Sequence, residues 1–180
     1  MKTPVVAVTV IMFALFAISC QPQQKPLTDA QKAAIADSAK AVVQSMLDHA
    51  DKLDFQGYFD GYATDADVRC IENGSLHPSL DFMKKAYAEL QPAFESLQNT
   101  PDSWEITVLS SDAVVITMPK HFTFKPKGLP EYKAQSVWSG VLQHRGGKWA
   151  IIQSHESWLN PEQIMAAFVP PPTKQSHPKK

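Results

Sequence analysis

The chain is poor in the residues and charges that define several classes of protein. Its 180 residues include 2 cysteines and 7 glycines, and 17 basic against 18 acidic residues give a formal net charge of −1. Two cysteines exclude a disulfide-stapled scaffold and a zinc site with four thiolates. The near-zero charge argues against nucleic acid as a partner, because nucleic-acid-binding proteins usually carry a basic excess. The length favours one domain with a single core.

Long apolar runs are also missing, except at the N-terminus. Residues 4–19 carry no charge and follow Lys2. This run is shorter than the ~20 residues that cross a bilayer as a helix. A basic start, an apolar stretch and then small residues are typical of a secretory signal. We therefore expect a signal peptide over residues 1–19.

The segment Ala17-Ile18-Ser19-Cys20 resembles a bacterial lipobox, in which the cysteine becomes the lipidated first residue of the mature protein. The lipobox usually has leucine where this chain has Ala17. We expect export, acylation of Cys20, a spacer over residues 20–27 and a lipid anchor in the cell envelope membrane. Two alternatives stay open. One is a soluble secreted protein, cleaved before Cys20, with that thiol free or paired with Cys70; the other is an uncleaved anchor.

Two helices are predicted at the start of the mature chain. Thr28 and Gln31 have the spacing of a capping box, and the helix after them ends near Leu53. Asp54 can cap a second, short helix. That helix carries four aromatic residues at one-turn spacing, namely Phe55, Tyr58, Phe59 and Tyr62.

A short strand at 68–71 and a third helix follow. Ser79 can cap this helix, and its apolar pattern continues to Leu97. Pro92 lies inside the pattern and should kink or split the helix, because proline removes a backbone hydrogen bond.

Strand patterns dominate the second half of the chain. Alternating apolar residues predict strands over 104–108, 113–124, 132–144 and 148–156. Pro119 predicts a bulge or bend, and Gly146-Gly147 predicts a hairpin turn. The tail from residue 159 is expected to hold a short helix and then a disordered end. Helices gathered on one face of a mainly antiparallel sheet make an α+β fold.

Two stretches resemble a known family. They are Tyr62-Ala63-Thr64-Asp65-Ala66 and the segment from Val137-Trp138 to His155-Glu156-Ser157. Both are similar to segments of the nuclear-transport-factor-2-like superfamily, in its SnoaL-like branch. The resemblance covers residues 28–158. It implies a cone of three helices packed in a strongly bent sheet, a pocket inside the cone and a homodimer formed through the outer sheet face.

The family leaves the function open, because it contains isomerases, hydrolases, cyclases, carriers and oligomerisation domains. Many relatives have a second histidine two residues before the one that matches His155. This chain has Gln153 there, so a histidine pair is not available.

The hairpin register predicts which residues face the pocket. With a two-residue turn, Leu142 pairs with Ile151, Gly140 with Gln153 and Trp138 with His155. We expect Trp138 to form a wall, Gly140 to leave room, and Gln153 and His155 to supply polar groups. Tyr58 or Tyr62 could add a hydroxyl from the helices. The alternative is that His155 is hydrogen-bonded within a solid core or solvated at the rim.

Three functions follow from this pocket. The first is a non-catalytic lipoprotein domain that binds a small, largely apolar ligand or a protein partner, without a cofactor or metal. The second is a small isomerase or hydrolase with His155 as base. Here the sequence places no carboxylate clearly inside, whether Asp60, Asp81 or Glu156. The third is a dimerisation or scaffold module with a filled core.

Overall fold

The computed structural model describes residues 25–64 and 68–166. The helices are α1 (Asp29–Asp51), α2 (Phe55–Tyr58), α3 (Leu80–Leu90) and α4 (Pro161–Ala166). The strands are β1 (Arg69–Glu72), β2 (Ser75–Leu76), β3 (Phe94–Pro101), β4 (Glu105–Val108), β5 (Ala113–Pro126), β6 (Tyr132–Arg145) and β7 (Lys148–Trp158). The predicted signal peptide, Cys20 and the chain end after residue 166 lie outside the described residues, as do residues 65–67.

The seven strands form one mixed, curled sheet that holds the helices. Its order is β2-β1-β7-β6-β5-β3, and β4 also pairs with β5. Among the pairs of named strands, β1–β7 is parallel and the others are antiparallel. The predicted α+β cone with a mainly antiparallel sheet is therefore confirmed.

The predicted helix starts are confirmed by their caps. The Thr28 hydroxyl accepts a hydrogen bond from the Gln31 backbone N–H, and the Gln31 side chain accepts one from the Thr28 N–H. Asp54 accepts a hydrogen bond from the Gly57 N–H at 3.0 Å. These contacts satisfy N–H groups that have no partner inside the helix.

The third helix is shorter than its apolar pattern predicts. It ends at Leu90, a 3₁₀ turn over Gln91–Ala93 follows, and β3 begins at Phe94. The prediction that Phe94 and Leu97 belong to the helix is wrong. Proline at position 92 cannot continue the hydrogen-bond ladder, and the residues after it pair with β5 instead.

Pro119 causes no bulge in β5. The register with β6 runs without a shift from Ala113 to Phe124. Pro119 lies between the part of β5 that pairs with β4 and the part that pairs with β3. Its carbonyl accepts a hydrogen bond from the Asp102 N–H, and the missing proline N–H costs little at this change of partner strand.

The β6–β7 hairpin follows the predicted register only near its turn. Gly146 and Gly147 have φ of 55° and 83°, as a two-residue turn with two left-handed positions requires. Leu142 pairs with Ile151 as predicted, but the next pair is Val141 with Gln153. The intervening residue, Ile152, is the extra residue of a β-bulge.

The bulge reverses which side chains of β7 face the helices. Gly140 pairs with Ser154 and Trp138 with Glu156, so the predicted pairs Gly140–Gln153 and Trp138–His155 are wrong. Because side chains alternate along a strand, one extra residue moves every later side chain to the other face.

Candidate functional site

A cavity of about 160 Å³ lies between the helices and the inner face of the sheet. Its lining is mostly apolar and aromatic, with a few carboxyl, amide and ammonium groups. The lining residues are Leu47, Ala50, Phe55, Tyr58, Glu72, Tyr87, Leu90, Phe94, Leu97, Asn99, Lys120, Phe122, Phe124, Glu156, Trp158 and Ile164. A largely apolar concave surface with a few oriented polar groups is typical of a small-molecule site.

Glu72 ends β1 and brings one carboxyl group to the cavity. Tyr87 of α3 donates a hydrogen bond from its hydroxyl to Glu72 Oε1 at 2.6 Å. Burial raises the pKa of Glu72, the negative charge of Glu156 raises it further, and the Tyr87 hydrogen bond lowers it. The net shift is upward, so Glu72 holds its proton to a higher pH than an ordinary glutamic acid.

His77 faces the other oxygen of the same carboxyl group. Its Nε2 lies 3.4 Å from Glu72 Oε2, within ion-pair distance. The contact lacks hydrogen-bond geometry, and this buried nitrogen has no hydrogen-bond partner among the residues that the structure describes. We treat the contact as electrostatic only. The imidazole ring stacks on Phe82 with ring centres 5.8 Å apart.

Glu156 on β7 brings a second carboxyl group to the cavity. Its Oε1 accepts a hydrogen bond from Ser136 Oγ at 2.8 Å and lies 3.2 Å from Lys120 Nζ. The side chains of Lys120 and Glu156 are 9% and 11% exposed. A buried charge normally requires such a partner, so the two residues form one neutral pair.

Asn99 fixes Lys120 from the opposite side. Its Oδ1 accepts a hydrogen bond from Lys120 Nζ at 2.7 Å. Its backbone N–H and its Nδ2 both donate to Asp51 Oδ1 at 2.7 Å. Asp51 therefore orients the amide so that its oxygen points to Lys120, and helix α1 is tied to strands β3 and β5.

Tyr58 lines the cavity from the short helix α2, where the sequence predicts a pocket tyrosine. Its ring stacks on Tyr87 with centres 5.5 Å apart. Burial raises the pKa of both phenols. Both hydroxyls are therefore neutral hydrogen-bond donors at physiological pH.

Five other predicted pocket residues lie outside the cavity lining. Gln153 and His155 are on the outer face of the sheet, because the bulge at Ile152 turns them away from the helices. His155 Nε2 contacts Ser157 Oγ at 3.1 Å on that face. Tyr62 is buried but outside the cavity lining, and its hydroxyl donates to Ser154 Oγ at 3.2 Å.

Trp138 and Gly140 belong to the solid core. Trp138 is 1% exposed, and its six-membered ring covers Gly140 so closely that an added Cβ there would overlap it. The space that Gly140 leaves is therefore filled by the indole. Neither residue lines the cavity.

The sequence reasoning missed the residues that supply most polar groups of the cavity: Glu72, Tyr87, Asn99 and Lys120. One signal was present. Along β5 the inward positions alternate as Val114, Ile116, Met118, Lys120, Phe122 and Phe124. A lysine at the centre of an apolar face is unusual and marks a buried charge.

Two absences concern only the residues that the structure describes. Within residues 25–64 and 68–166, no three His, Cys, Asp or Glu side chains are arranged to hold a metal ion. In the same ranges, no helix has the length and apolar character needed to cross a membrane. Cys70 is buried and has no disulfide partner among these described residues.

Sequence comparison assigns the family. A model described as a SnoaL-like domain matches residues 39–161. The chain belongs to the SnoaL-like family. No curated protein matches this SnoaL-like chain in sequence.

Many solved structures share the fold of this SnoaL-like domain. A ketosteroid isomerase-like protein from Erwinia carotovora atroseptica is 15% identical, with a TM-score of 0.59, over 70% of this chain and 97% of that one. A hexachlorocyclohexane dehydrochlorinase is 12% identical, with a TM-score of 0.60, over 73% and 89%. The association domain of C. elegans CaMKII is 22% identical, with a TM-score of 0.57, over 72% and 99%. At identities this low, each likeness shows a shared fold only.

Proposed function

We propose that the SnoaL-like domain binds a small, largely apolar ring molecule in its cavity and transfers a proton to or from it. The observation that carries the proposal is the position of Glu72, a largely buried carboxyl group held by Tyr87 in an apolar cavity. Burial raises the pKa of this carboxyl group above its ordinary value, which suits it to general acid–base catalysis. In this proposal Glu72 has the role that was predicted for His155.

The size of the cavity supports a single ring as the ligand. Its volume of about 160 Å³ is close to that of an engineered apolar cavity of about 150 Å³ that binds benzene. The rim is accessible, because Leu90, which lines the cavity, is 44% exposed. The names of two fold neighbours, a dehydrochlorinase and an isomerase-like protein, agree with enzymatic chemistry on this fold.

The test of binding uses a panel of single-ring hydrocarbons, alcohols and ketones with saturation-transfer NMR. We expect Leu97→Trp, which fills the cavity from β3, to weaken binding at least tenfold. The matched control is Leu109→Trp, since Leu109 is 61% exposed and does not line the cavity. Equal binding by both variants would place the ligand elsewhere.

The test of catalysis measures the exchange of carbon-bound hydrogen for deuterium in D₂O, with the same panel of compounds. We expect at least one compound to incorporate deuterium in the presence of the protein, and Glu72→Gln to abolish incorporation while the compound still binds. Binding without incorporation by any compound would support the non-catalytic alternative instead.

We also propose that the domain is an exported lipoprotein held at the cell envelope membrane through Cys20. The support is the apolar run over residues 4–19 and the lipobox-like Ala17-Ile18-Ser19-Cys20. Mass spectrometry of the membrane fraction should find a mature N-terminus at Cys20 with acyl mass. Cys20→Ser should move the protein to the soluble fraction, whereas the control Cys70→Ser should not. A mature Cys20 without acyl groups would contradict the proposal.

We further propose that the protein forms a homodimer through the outer sheet face. The support is apolar surface on that face, where Val137 is 45% exposed and Val115 and Val141 are half-buried. Sedimentation analysis should give a dimer for the wild type and a monomer for Val137→Glu. The control is Leu109→Glu, at a leucine that is 61% exposed. A monomeric wild type would end this proposal.

A further inference from the structure

Lys120 is a charged residue on an otherwise apolar face of β5. It occupies the inner face of β5 between Met118 and Phe122, and only 7% of it is exposed. Its Nζ lies at the cavity, where Glu156 and Asn99 hold it. Strand and helix contacts thus fix the position of this ammonium group before any ligand arrives.

One N–H of the Lys120 ammonium group is available to donate to a ligand. A lysine side chain carries three N–H donors, and two oxygens lie within reach of Nζ in the described part of the chain, Asn99 Oδ1 at 2.7 Å and Glu156 Oε1 at 3.2 Å. Nζ also lies 5.2 Å from the centre of the Phe122 ring. Because an aromatic ring supplies no oxygen, the third N–H has no oxygen acceptor among the described residues, and the cavity offers a ligand one strong donor.

The charges around the cavity limit which ligand groups can accept a hydrogen bond from Lys120. Two carboxyl groups, Glu72 and Glu156, and one ammonium group line the cavity. A ligand carboxylate would add a third acidic group close to both glutamates, and a cationic ligand would approach Lys120. A neutral oxygen acceptor avoids both repulsions, and a carbonyl oxygen is such a group, because it accepts hydrogen bonds and brings no charge and no donor of its own.

We infer that Lys120 donates a hydrogen bond to a neutral carbonyl oxygen, so that the cavity selects single-ring carbonyl compounds over ring hydrocarbons and ring carboxylates. This inference rests on the proposed function above for the occupancy of the cavity. The aromatic rings of Phe122 and Phe124, on the same face of β5, would contact the ring of such a ligand, while Lys120 holds its oxygen.

The test compares three probes that differ in one substituent on a benzene ring. Acetophenone has a neutral carbonyl, ethylbenzene has no acceptor, and benzoate has a negative charge. Titration by NMR should give an affinity for acetophenone at least tenfold above those of the other two, as expected for a hydrogen bond from a charged donor. Lys120→Met should remove the preference of acetophenone over ethylbenzene and leave the affinity for ethylbenzene within about twofold.

A second variant guards against loss of folding. Lys120→Met leaves Glu156 buried without its partner, so Lys120→Met/Glu156→Gln is measured beside it, since this variant leaves no unpaired buried charge. The matched control is Lys125→Met, the same substitution on the same strand, at a residue that pairs with Glu95 and does not line the cavity. It should keep the preference for acetophenone.

The outcomes separate this inference from the proposed function. If none of the three probes binds and the wider panel also fails, the proposed function falls, and this inference with it. If ethylbenzene and acetophenone bind wild-type protein equally, or if the preference survives in both Lys120 variants, only the role of Lys120 is wrong. Tighter binding of benzoate than of acetophenone would overturn the choice of a neutral ligand.

Discussion

Glu72 and Glu156 are direct partners across the parallel pair β1–β7, and both carboxyl groups line the same cavity. Their surroundings differ. Glu156 is compensated by Lys120 at 3.2 Å, whereas Glu72 receives a phenol hydrogen bond from Tyr87. Two carboxyl groups in unequal environments are suited to unequal roles, and the negative charge of Glu156 helps to raise the pKa of Glu72.

The raised pKa of Glu72 predicts how stability depends on pH. The native protein binds this proton more tightly than the unfolded chain does, so the free energy of unfolding falls as pH rises from the ordinary glutamate pKa of 4.5 through the raised one. Glu72→Gln lacks this loss. Urea denaturation at a series of pH values should therefore show the wild type losing stability relative to the variant across that window.

The control for this experiment is Glu89→Gln, because Glu89 is 70% exposed and reports the effect of removing a surface carboxyl group. Parallel stability curves for the wild type and Glu72→Gln would show that Glu72 titrates normally.

Tyr87→Phe should raise the pKa of Glu72 still further. The Tyr87 hydroxyl donates to Glu72 Oε1 at 2.6 Å, and this hydrogen bond lowers the pKa of the carboxyl group. Titration of the Glu72 side-chain carbon by NMR measures the shift directly. The control is Tyr132→Phe, since Tyr132 stacks on Phe124 and does not line the cavity. An unchanged or lower pKa in Tyr87→Phe would contradict the hydrogen bond.

Removing one member of the buried pair Lys120–Glu156 should reduce the free energy of unfolding more than replacing both members. Lys120→Met leaves a buried carboxylate without its cation, and such losses reduce the free energy of unfolding by roughly 3–5 kcal/mol. Lys120→Met/Glu156→Gln should regain most of this loss. Chemical denaturation measures both variants. If the double variant is as unstable as the single one, packing of the lysine stem, and not charge pairing, is the cause.

The parts of the fold that depend on local chemistry were predictable from the sequence. The capping box at Thr28 and the turn at Gly146-Gly147 each use a few neighbouring residues whose conformational preferences are strong. Pro92 likewise predicted an interruption of α3. Its apolar pattern could not tell where the helix ends, because Phe94 and Leu97 fit a helix face and a strand equally well.

The pocket was less predictable, since it depends on one bulge. Ala150, Ile151 and Ile152 are three successive apolar residues, which breaks the alternation of a strand with one solvated face. Where a bulge forms depends on pairing with β6, and a pattern within one strand does not contain that information. A shift of one residue placed Glu156 and not His155 on the inner face, and so removed the predicted base from the cavity.

We expect position 140 to need glycine because the Trp138 ring leaves no room for a side chain there, and not because a ligand occupies the space. An added Cβ at Gly140 would overlap the six-membered ring of Trp138, which is 1% exposed and cannot move into solvent without uncovering the core. Gly140→Ala should therefore reduce the free energy of unfolding by roughly 1–3 kcal/mol, the usual cost of overpacking. In the background of Trp138→Leu the same substitution should cost much less, because the overlapping ring is gone, and a double-mutant cycle measures this difference. Equal costs in both backgrounds would mean that the glycine serves the strand itself, and the core would then have no part in fixing the residue at this position.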